Sequence, residues 1–299
     1  MRNFRKYDAP RIVAVADYSV KFIGPDHAVV EFLGDGERWT ATVKRLLADG
    51  DQNPKTALNN VETRGLSLVP HTMAGIGNAC PWATTCVDTC LNETGQGTMD
   101  SVRRSRIAKY VVFRADREWF VDKLNREIAS FGASLPAGAI GAIRLNMFSD
   151  IAWERYGVID RLPHNVVAYD YAKDPRRAAA QCYCITYSYD GTIESEAYAR
   201  ELLSRGVNVA VCFYDDTKQG TCGKGAAKQD LPATFLGYDV IDGTSTDYRP
   251  DDARGVVVGL KLKSRTRAKR QEAIDSGFAV STYGEHMPLV GHGRPMVAI

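Results

Sequence analysis

Three cysteines occur within eleven residues of this chain, in the run Cys80-Pro-Trp-Ala-Thr-Thr-Cys86-Val-Asp-Thr-Cys90. Thiols this close in sequence can converge on one metal centre with little loop-closure cost, and thiolates bind zinc and iron–sulfur clusters. A closed structural zinc site needs four ligands, whereas three cysteines leave one coordination position open for a cofactor or substrate. The spacing therefore predicts a metal site held by Cys80, Cys86 and Cys90, with an iron–sulfur cluster as one possible occupant.

Other interpretations of these cysteines stay open. A structural zinc site would need a fourth ligand, and Cys222, in the glycine-rich run Gly220–Lys224, is the best candidate. The three cysteines could instead pack in a buried loop as small apolar side chains, or form disulfides. Cys182, Cys184 and Cys212 lie in predicted strands, so we expect them in the core.

The composition is that of an ordinary globular protein, with 299 residues, a net charge of +2, 44% hydrophobic and 25% charged residues. This charge neither favours nor excludes a nucleic-acid partner. No stretch of about 18 apolar residues is present, and Met1–Asp8 is not followed by the apolar run of a secretory signal. Together with the odd number of cysteines, seven, these features predict a cytoplasmic protein with reduced thiols and no membrane partner.

The sequence divides into two parts, and the second of them contains the three cysteines. Residues 1–55 contain short β-prone runs separated by glycine-containing turns, which predicts a small β-rich N-terminal module. Residues 56–299 alternate between mostly apolar strands and amphipathic helices, which is typical of a parallel sheet covered by helices. We therefore predict an α/β fold, with a complete or partial β/α barrel in residues 56–299. A doubly wound open sheet is the alternative.

In either fold, functional side chains gather where parallel strands end. The three-cysteine loop follows the first predicted strand of the α/β part. Polar residues at or after later strand ends are the candidate cofactor-binding residues. They are Asn146, Ser149, Asp150, Tyr169, Asp215 and Lys261. Each alone could serve as a turn or cap residue, but their shared placement predicts one cavity.

Two basic segments could contact phosphates or simply face water. One is the helix face formed by Arg103, Arg104, Arg106 and Lys109, and the other is the run from residue 261 to residue 270. Contact with phosphate would make a nucleotide or a nucleic acid a partner of this chain.

The chain resembles the bacteriophage gene product 88 family. The likeness rests on the cysteine loop with its arginine-rich following helix and on three later motifs. These are Arg144–Asp150, Val166–Tyr169 and Asp247–Asp251, the last leading into Val257–Lys261. The order is kept over about residues 58–280. The resemblance implies a phage protein in the host cytoplasm and brings no assigned activity with it.

The cysteine loop is also similar to that of radical S-adenosylmethionine enzymes, here with spacings of five and three residues. The resemblance implies a [4Fe–4S] cluster on Cys80, Cys86 and Cys90, whose open iron binds S-adenosylmethionine. Asn146–Asp150 would then lie near the amino group of that cofactor. The chain would be an enzyme acting on a nucleotide or nucleic acid. The alternative is a non-catalytic, nucleic-acid-associated phage protein with a structural zinc site.

Overall fold

The computed structural model describes residues 9–34, 36–49, 61–88, 90, 92, 95–217, 229–264, 266–284, 286 and 296–299. These residues fall into two compact units. The first lies within Met1–Gln52, Val61–Pro81 and Gln96–Ala168, and the second within Trp82–Gly95 and Tyr169–Ile299. The division at residue 55 stays a prediction.

The first unit begins with an antiparallel sheet of four strands in sequence order: β1 Arg11–Val15, β2 Tyr18–Ile23, β3 His27–Phe32 and β4 Trp39–Val43. Alternate side chains of the middle strands are buried, including Val20, Phe22 and Val30, as the period of two requires. Gly24 has φ +66° in the turn between β2 and β3, a backbone conformation that glycine adopts without strain. The predicted β-rich N-terminal segment is confirmed.

Two helices follow in the same unit, α1 Asp100–Ala115 and α2 Arg117–Ser134. Asp116 separates them, and its carboxylate caps α2 by accepting a hydrogen bond from the backbone nitrogen of Trp119 at 2.9 Å. The Trp119 indole nitrogen in turn donates to the Gly24 carbonyl at 3.0 Å, and its ring lies edge-on to Phe22. These contacts pack the N-terminal sheet against the helices of its own unit.

The first unit also holds β5 Leu47–Asp49, β6 Thr63–Leu66 and β7 Gly141–Arg144, together with the start of β8 Val166–Ala172. Strand β5 pairs antiparallel with β6, whereas β6, β7 and β8 pair in parallel. The loops after β6 and β7 therefore leave the sheet at the same edge.

The second unit contains the end of β8 and a mixed sheet in the order β8-β9-β10-β13-β12-β11, with β14 also paired to β10. Its further strands are β9 Cys184–Ser188, β10 Val209–Tyr214, β11 Thr234–Phe235, β12 Tyr238–Asp242, β13 Val257–Lys261 and β14 Ala279–Ser281. All pairs are parallel except β11 with β12. Its helices are α3 Pro175–Ala180, α4 Ile193–Ser204 and α5 Arg267–Asp275.

The coarse prediction of an α/β fold with a small β-rich N-terminal sheet is confirmed. A barrel is not confirmed, because in each unit the described strand pairs form an open path and no pair among them closes a ring. The sequence of residues 151–162, which ends at Pro163, predicts a further helix, and this prediction is wrong. That segment forms two short 3₁₀ turns, Trp153–Tyr156 and Ile159–Arg161, interrupted by Gly157 in the left-handed conformation at φ +64°.

None of the helices in the described part of the chain has the length and apolar character that a membrane span requires.

Candidate metal centre

The first cysteine of the loop, Cys80, belongs to the first unit and lies where the connection after β6 meets the connection after β7. Its thiol donates a hydrogen bond to the Phe148 carbonyl at 3.4 Å, and its backbone nitrogen donates to the Asn78 side-chain oxygen at 2.8 Å. One residue earlier, the Ala79 carbonyl accepts from the Asp150 backbone nitrogen at 2.8 Å. The start of the cysteine loop is thus fixed at the carboxyl ends of two neighbouring parallel strands.

Cationic side chains of α1 lie beside this segment. The Arg106 guanidinium stacks over the Phe148 ring at 3.8 Å. The Arg114 guanidinium lies against Gly77, 2.7 Å from the position that a Cβ atom would take. Burial raises the pKa of Tyr110, the nearby Arg114 opposes that effect, and the Cys80 thiol adds to it. Helix α1 therefore brings positive charge to both connections that flank Cys80, with Arg106 at the loop after β7 and Arg114 at the loop after β6.

The middle of the loop, from Trp82 onward, belongs to the second unit and makes its contacts there. The Thr84 hydroxyl donates to the Asp190 carboxylate at 2.5 Å, and the Thr85 hydroxyl donates to the Asp190 carbonyl at 2.7 Å. The Val87 backbone nitrogen donates to the Thr84 carbonyl at 3.2 Å and so closes a turn. Cys86 is inside this turn and is half-buried.

Asp190 follows β9, at a strand end as the sequence predicts, but it was not selected as a cofactor-binding residue. Burial raises its pKa, but the Lys173 ammonium and hydrogen bonds from Thr84 and Thr192 outweigh burial, so the net pKa is lowered. The carboxylate therefore stays ionised at neutral pH and accepts hydrogen bonds only. Its position directly after an apolar strand and before a helix cap was the available signal, but that signal also describes ordinary turn residues.

Six cysteines lie in the described residues, none of them in a disulfide, and Cys222 lies outside those residues. Among the residues that the structure places, no group of three or more His, Cys, Asp or Glu side chains is arranged to hold a metal ion. The donor chemistry nevertheless fits a thiolate-bound metal, because Cys80, Cys86 and Cys90 are unbridged and only half-buried. A shared centre on these three sulfurs stays a prediction.

The remaining cysteines differ from one another. Burial raises the pKa of Cys184 to about 11 and that of Cys212 to about 12, although both side chains are only partly buried. Cys182 is exposed, so its predicted core position is wrong. The reason is that β9 begins only at Cys184, which leaves Cys182 in the connection after α3.

The structure brings Asn146 and Ser149 together inside the loop after β7. The Asn146 side-chain oxygen accepts from the Ile151 backbone nitrogen at 2.9 Å, the Ser149 hydroxyl at 2.9 Å and the Trp153 indole at 3.2 Å. Its amide nitrogen donates to the Ile151 carbonyl at 3.0 Å. Asn146 therefore shapes the loop whose next residues contact the segment of Cys80. Asp150 is buried in the same loop.

The other predicted cofactor-binding residues belong to the second unit. Tyr169 is buried in the middle of β8, with its ring edge-on to Tyr248. Asp215 follows β10, where its carboxylate accepts from the Thr217 hydroxyl at 2.6 Å. Lys261 is the last residue of β13. A single cavity collecting these side chains with the cysteines stays a prediction.

No curated protein and no solved structure matches the chain. The sequence profile described as Gene product 88 matches residues 41–281, which include the cysteine loop and the segments that gave the resemblance. Because this match covers most of the chain, the protein belongs to the gene product 88 family.

Proposed function

We propose that this protein is a metal-dependent phage enzyme that holds a [4Fe–4S] cluster on Cys80, Cys86 and Cys90 and uses S-adenosylmethionine. The observation that carries the proposal is the anchoring of the loop that contains the three cysteines. Its start is bonded to the loop after β7, and its middle is bonded to the loop after β9. Loops at the carboxyl ends of parallel strands are where α/β proteins build their sites.

The chain's own residues would prepare the thiols for this role. When bound, such a cluster supplies an electron and an open coordination position to S-adenosylmethionine. Arg106 and Arg114 place positive charge beside the segment of Cys80, where the negative charge of a thiolate-bound cluster would lie. The buried loop held by Asn146 would position its neighbours, Ser149 and Asp150, toward a bound cofactor. We propose a nucleotide or nucleic acid as the substrate.

Metal analysis of the purified chain tests this proposal. Anaerobically prepared protein should be brown, absorb near about 400 nm, and contain iron and acid-labile sulfide. Cys80→Ala, Cys86→Ala and Cys90→Ala should each lose the iron, whereas the matched variant Cys212→Ala should retain it. Full iron content in Cys86→Ala would overturn the proposed ligand set.

A zinc protein that associates with nucleic acid is the second candidate. Two cations near the end of β13, Lys263 and Arg267, are exposed and could contact phosphates. In this case the preparation is colourless and contains one tightly bound zinc, and Cys222→Ala releases that zinc. Iron and sulfide in the preparation would exclude this candidate.

A further inference from the structure

We infer that Asp190 is a positioning residue for the cysteine loop. It holds Cys86 in place through hydrogen bonds to the two threonines that precede Cys86. The inference rests on the proposed function in that Cys86 is taken as a metal ligand. Asp190 itself touches neither cysteine nor substrate in this role.

The contact is made at two consecutive residues and through two different groups of Asp190. The carboxylate accepts from the Thr84 hydroxyl at 2.5 Å, and the backbone carbonyl accepts from the Thr85 hydroxyl at 2.7 Å. Thr85 is buried, so its hydroxyl has no easy replacement by water. Because Cys86 is the next residue, its backbone can move little while both bonds persist.

Asp190 is itself held rigidly by the start of α4. Its second carboxylate oxygen accepts from the Thr192 hydroxyl at 2.8 Å and from the Thr192 backbone nitrogen at 3.2 Å. Its backbone nitrogen donates to the Ser195 hydroxyl at 3.1 Å. Thr192 is also the N-cap of α4, since its hydroxyl accepts from the Ser195 backbone nitrogen. The position of Cys86 is thereby tied to a helix rather than to another loop.

A second contact fixes the loop at Trp82. The Arg176 guanidinium lies over the Trp82 ring at 5.1 Å. Arg176 is oriented by two hydrogen bonds to the Asp174 carboxylate, at 2.9 and 2.8 Å. The loop is therefore attached to the second unit on both sides of Ala83, four and two residues before Cys86.

The rate at which Cys86 is alkylated reports directly on this attachment. Full-length protein is treated with a chelator and then with N-ethylmaleimide, and modification of the Cys86 peptide is followed by mass spectrometry. Thr84→Val removes one hydroxyl with little change in shape and should raise the rate roughly tenfold, as expected for the loss of one charge-assisted hydrogen bond. Asp190→Ala should raise it at least as much.

The matched control is Thr244→Val. Thr244 makes the same kind of bond, from its hydroxyl to the carboxylate of Asp242, on an exposed turn of the same unit. This variant should leave the Cys86 rate unchanged. The double variant Thr84→Val/Asp190→Ala should react no faster than Asp190→Ala alone, because both changes remove the same bond. Unchanged rates in Thr84→Val and Asp190→Ala, with melting temperatures like that of the parent, would overturn the inference.

Metal content separates this inference from the proposed function. If the parent protein binds iron, Thr84→Val should weaken iron retention against a chelator, whereas Thr244→Val should not. If the parent protein binds no metal, the proposed function fails, yet faster alkylation in Thr84→Val still supports the positioning role. If iron is bound and Thr84→Val changes neither retention nor alkylation, the positioning role fails by itself.

Discussion

Glu127 of α2 accepts hydrogen bonds from the backbone nitrogen of Leu46 with both carboxylate oxygens, at 3.0 and 2.9 Å. The same carboxylate accepts from the backbone nitrogen of Leu47 at 2.9 Å and pairs with the Lys123 ammonium at 2.9 Å. Lys109 of α1 completes the arrangement by donating to the Leu46 carbonyl at 3.0 Å. The chain just before β5 is therefore held by side chains of two helices instead of by a neighbouring strand.

Removing this carboxylate should destabilise the first unit. Glu127→Ala leaves two backbone nitrogens and the Lys123 ammonium without their acceptor, and we expect a loss of about 3 kcal/mol in the free energy of unfolding. Urea denaturation measures this loss. The control is Glu37→Ala, which breaks only the exposed ion pair with Arg104 and should cost less than about 0.5 kcal/mol. Equal stability of the two variants would contradict the role given to Glu127.

The ammonium of Lys109 should make stability depend on alkaline pH. Burial lowers the pKa of Lys109 to about 8, with Glu127 opposing burial and Arg106 and Arg45 adding to it. Between this value and the ordinary pKa of about 10.4, the unfolded chain binds more protons than the folded chain. Stability should therefore rise with pH across this window, by on the order of 2 kcal/mol.

Lys109→Met removes the titrating group, so its stability should not show this rise. Urea denaturation of both proteins from about pH 7.5 to about pH 10 gives the comparison, because this range spans the folded and the ordinary pKa values of Lys109. A parallel pH dependence in the parent and in Lys109→Met would show that another group is responsible.

His286 should have an effect of the same sign as Lys109, but at acidic pH. Burial lowers the pKa of its imidazole, while the Glu196 carboxylate at 3.1 Å acts against burial. The Tyr189 hydroxyl also contacts this ring nitrogen, at 2.8 Å. Because the folded-state pKa lies below that of the unfolded chain, the stability that neutral His286 contributes is present above the unfolded value. It is lost as pH falls through the folded value.

Two variants test this sign. His286→Gln should lose less stability than the parent protein when the pH is lowered below about 6.5, the ordinary histidine value. Glu196→Gln removes the charge that favours the protonated ring, so its loss on acidification should exceed that of the parent. Thermal melting at a series of pH values measures both, and the reverse order of the two variants would rule out the interpretation.

Gly191 should tolerate no side chain. It has φ +87°, and a Cβ there would lie 1.9 Å from the Gly277 carbonyl oxygen. Gly157 has a similar φ, +64°, but open space around its Cα, so the pair separates backbone strain from steric overlap. Gly157→Ala should cost about 1 kcal/mol and Gly191→Ala considerably more, measured by urea denaturation. Equal costs would place the whole effect in the backbone conformation.

The apolar runs of the sequence predicted most of the second unit's strands, because a strand that is buried on both faces consists mainly of apolar residues. The run at 207–213, for example, became β10, and the helical pattern of residues 99–131 became α1 and α2. Asn146 was selected from its place after a strand. Its use inside its own loop could not be predicted, since that depends on where Ile151 and Trp153 lie in space.

Contacts distant in sequence account for the remaining differences. Asp190 bonds to a threonine 106 residues away, and Glu127 bonds to an amide 81 residues away. Neither local propensity nor periodicity carries such information. The expected helix at 151–162 failed for a local reason, Gly157, whose left-handed conformation ends the first 3₁₀ turn.

The hydrogen bond from Cys80 to the Phe148 carbonyl ties any metal uptake to the release of a proton. A sulfur that donates to a carbonyl carries hydrogen, whereas a ligating sulfur does not. Loading would therefore exchange that hydrogen for the metal and leave the Phe148 carbonyl to find a new donor. Affinity should increase with pH for this reason. Trp153 is hydrogen-bonded to Asn146 in the loop that contains Phe148. Its intrinsic fluorescence should therefore report the rearrangement of this loop when a metal binds.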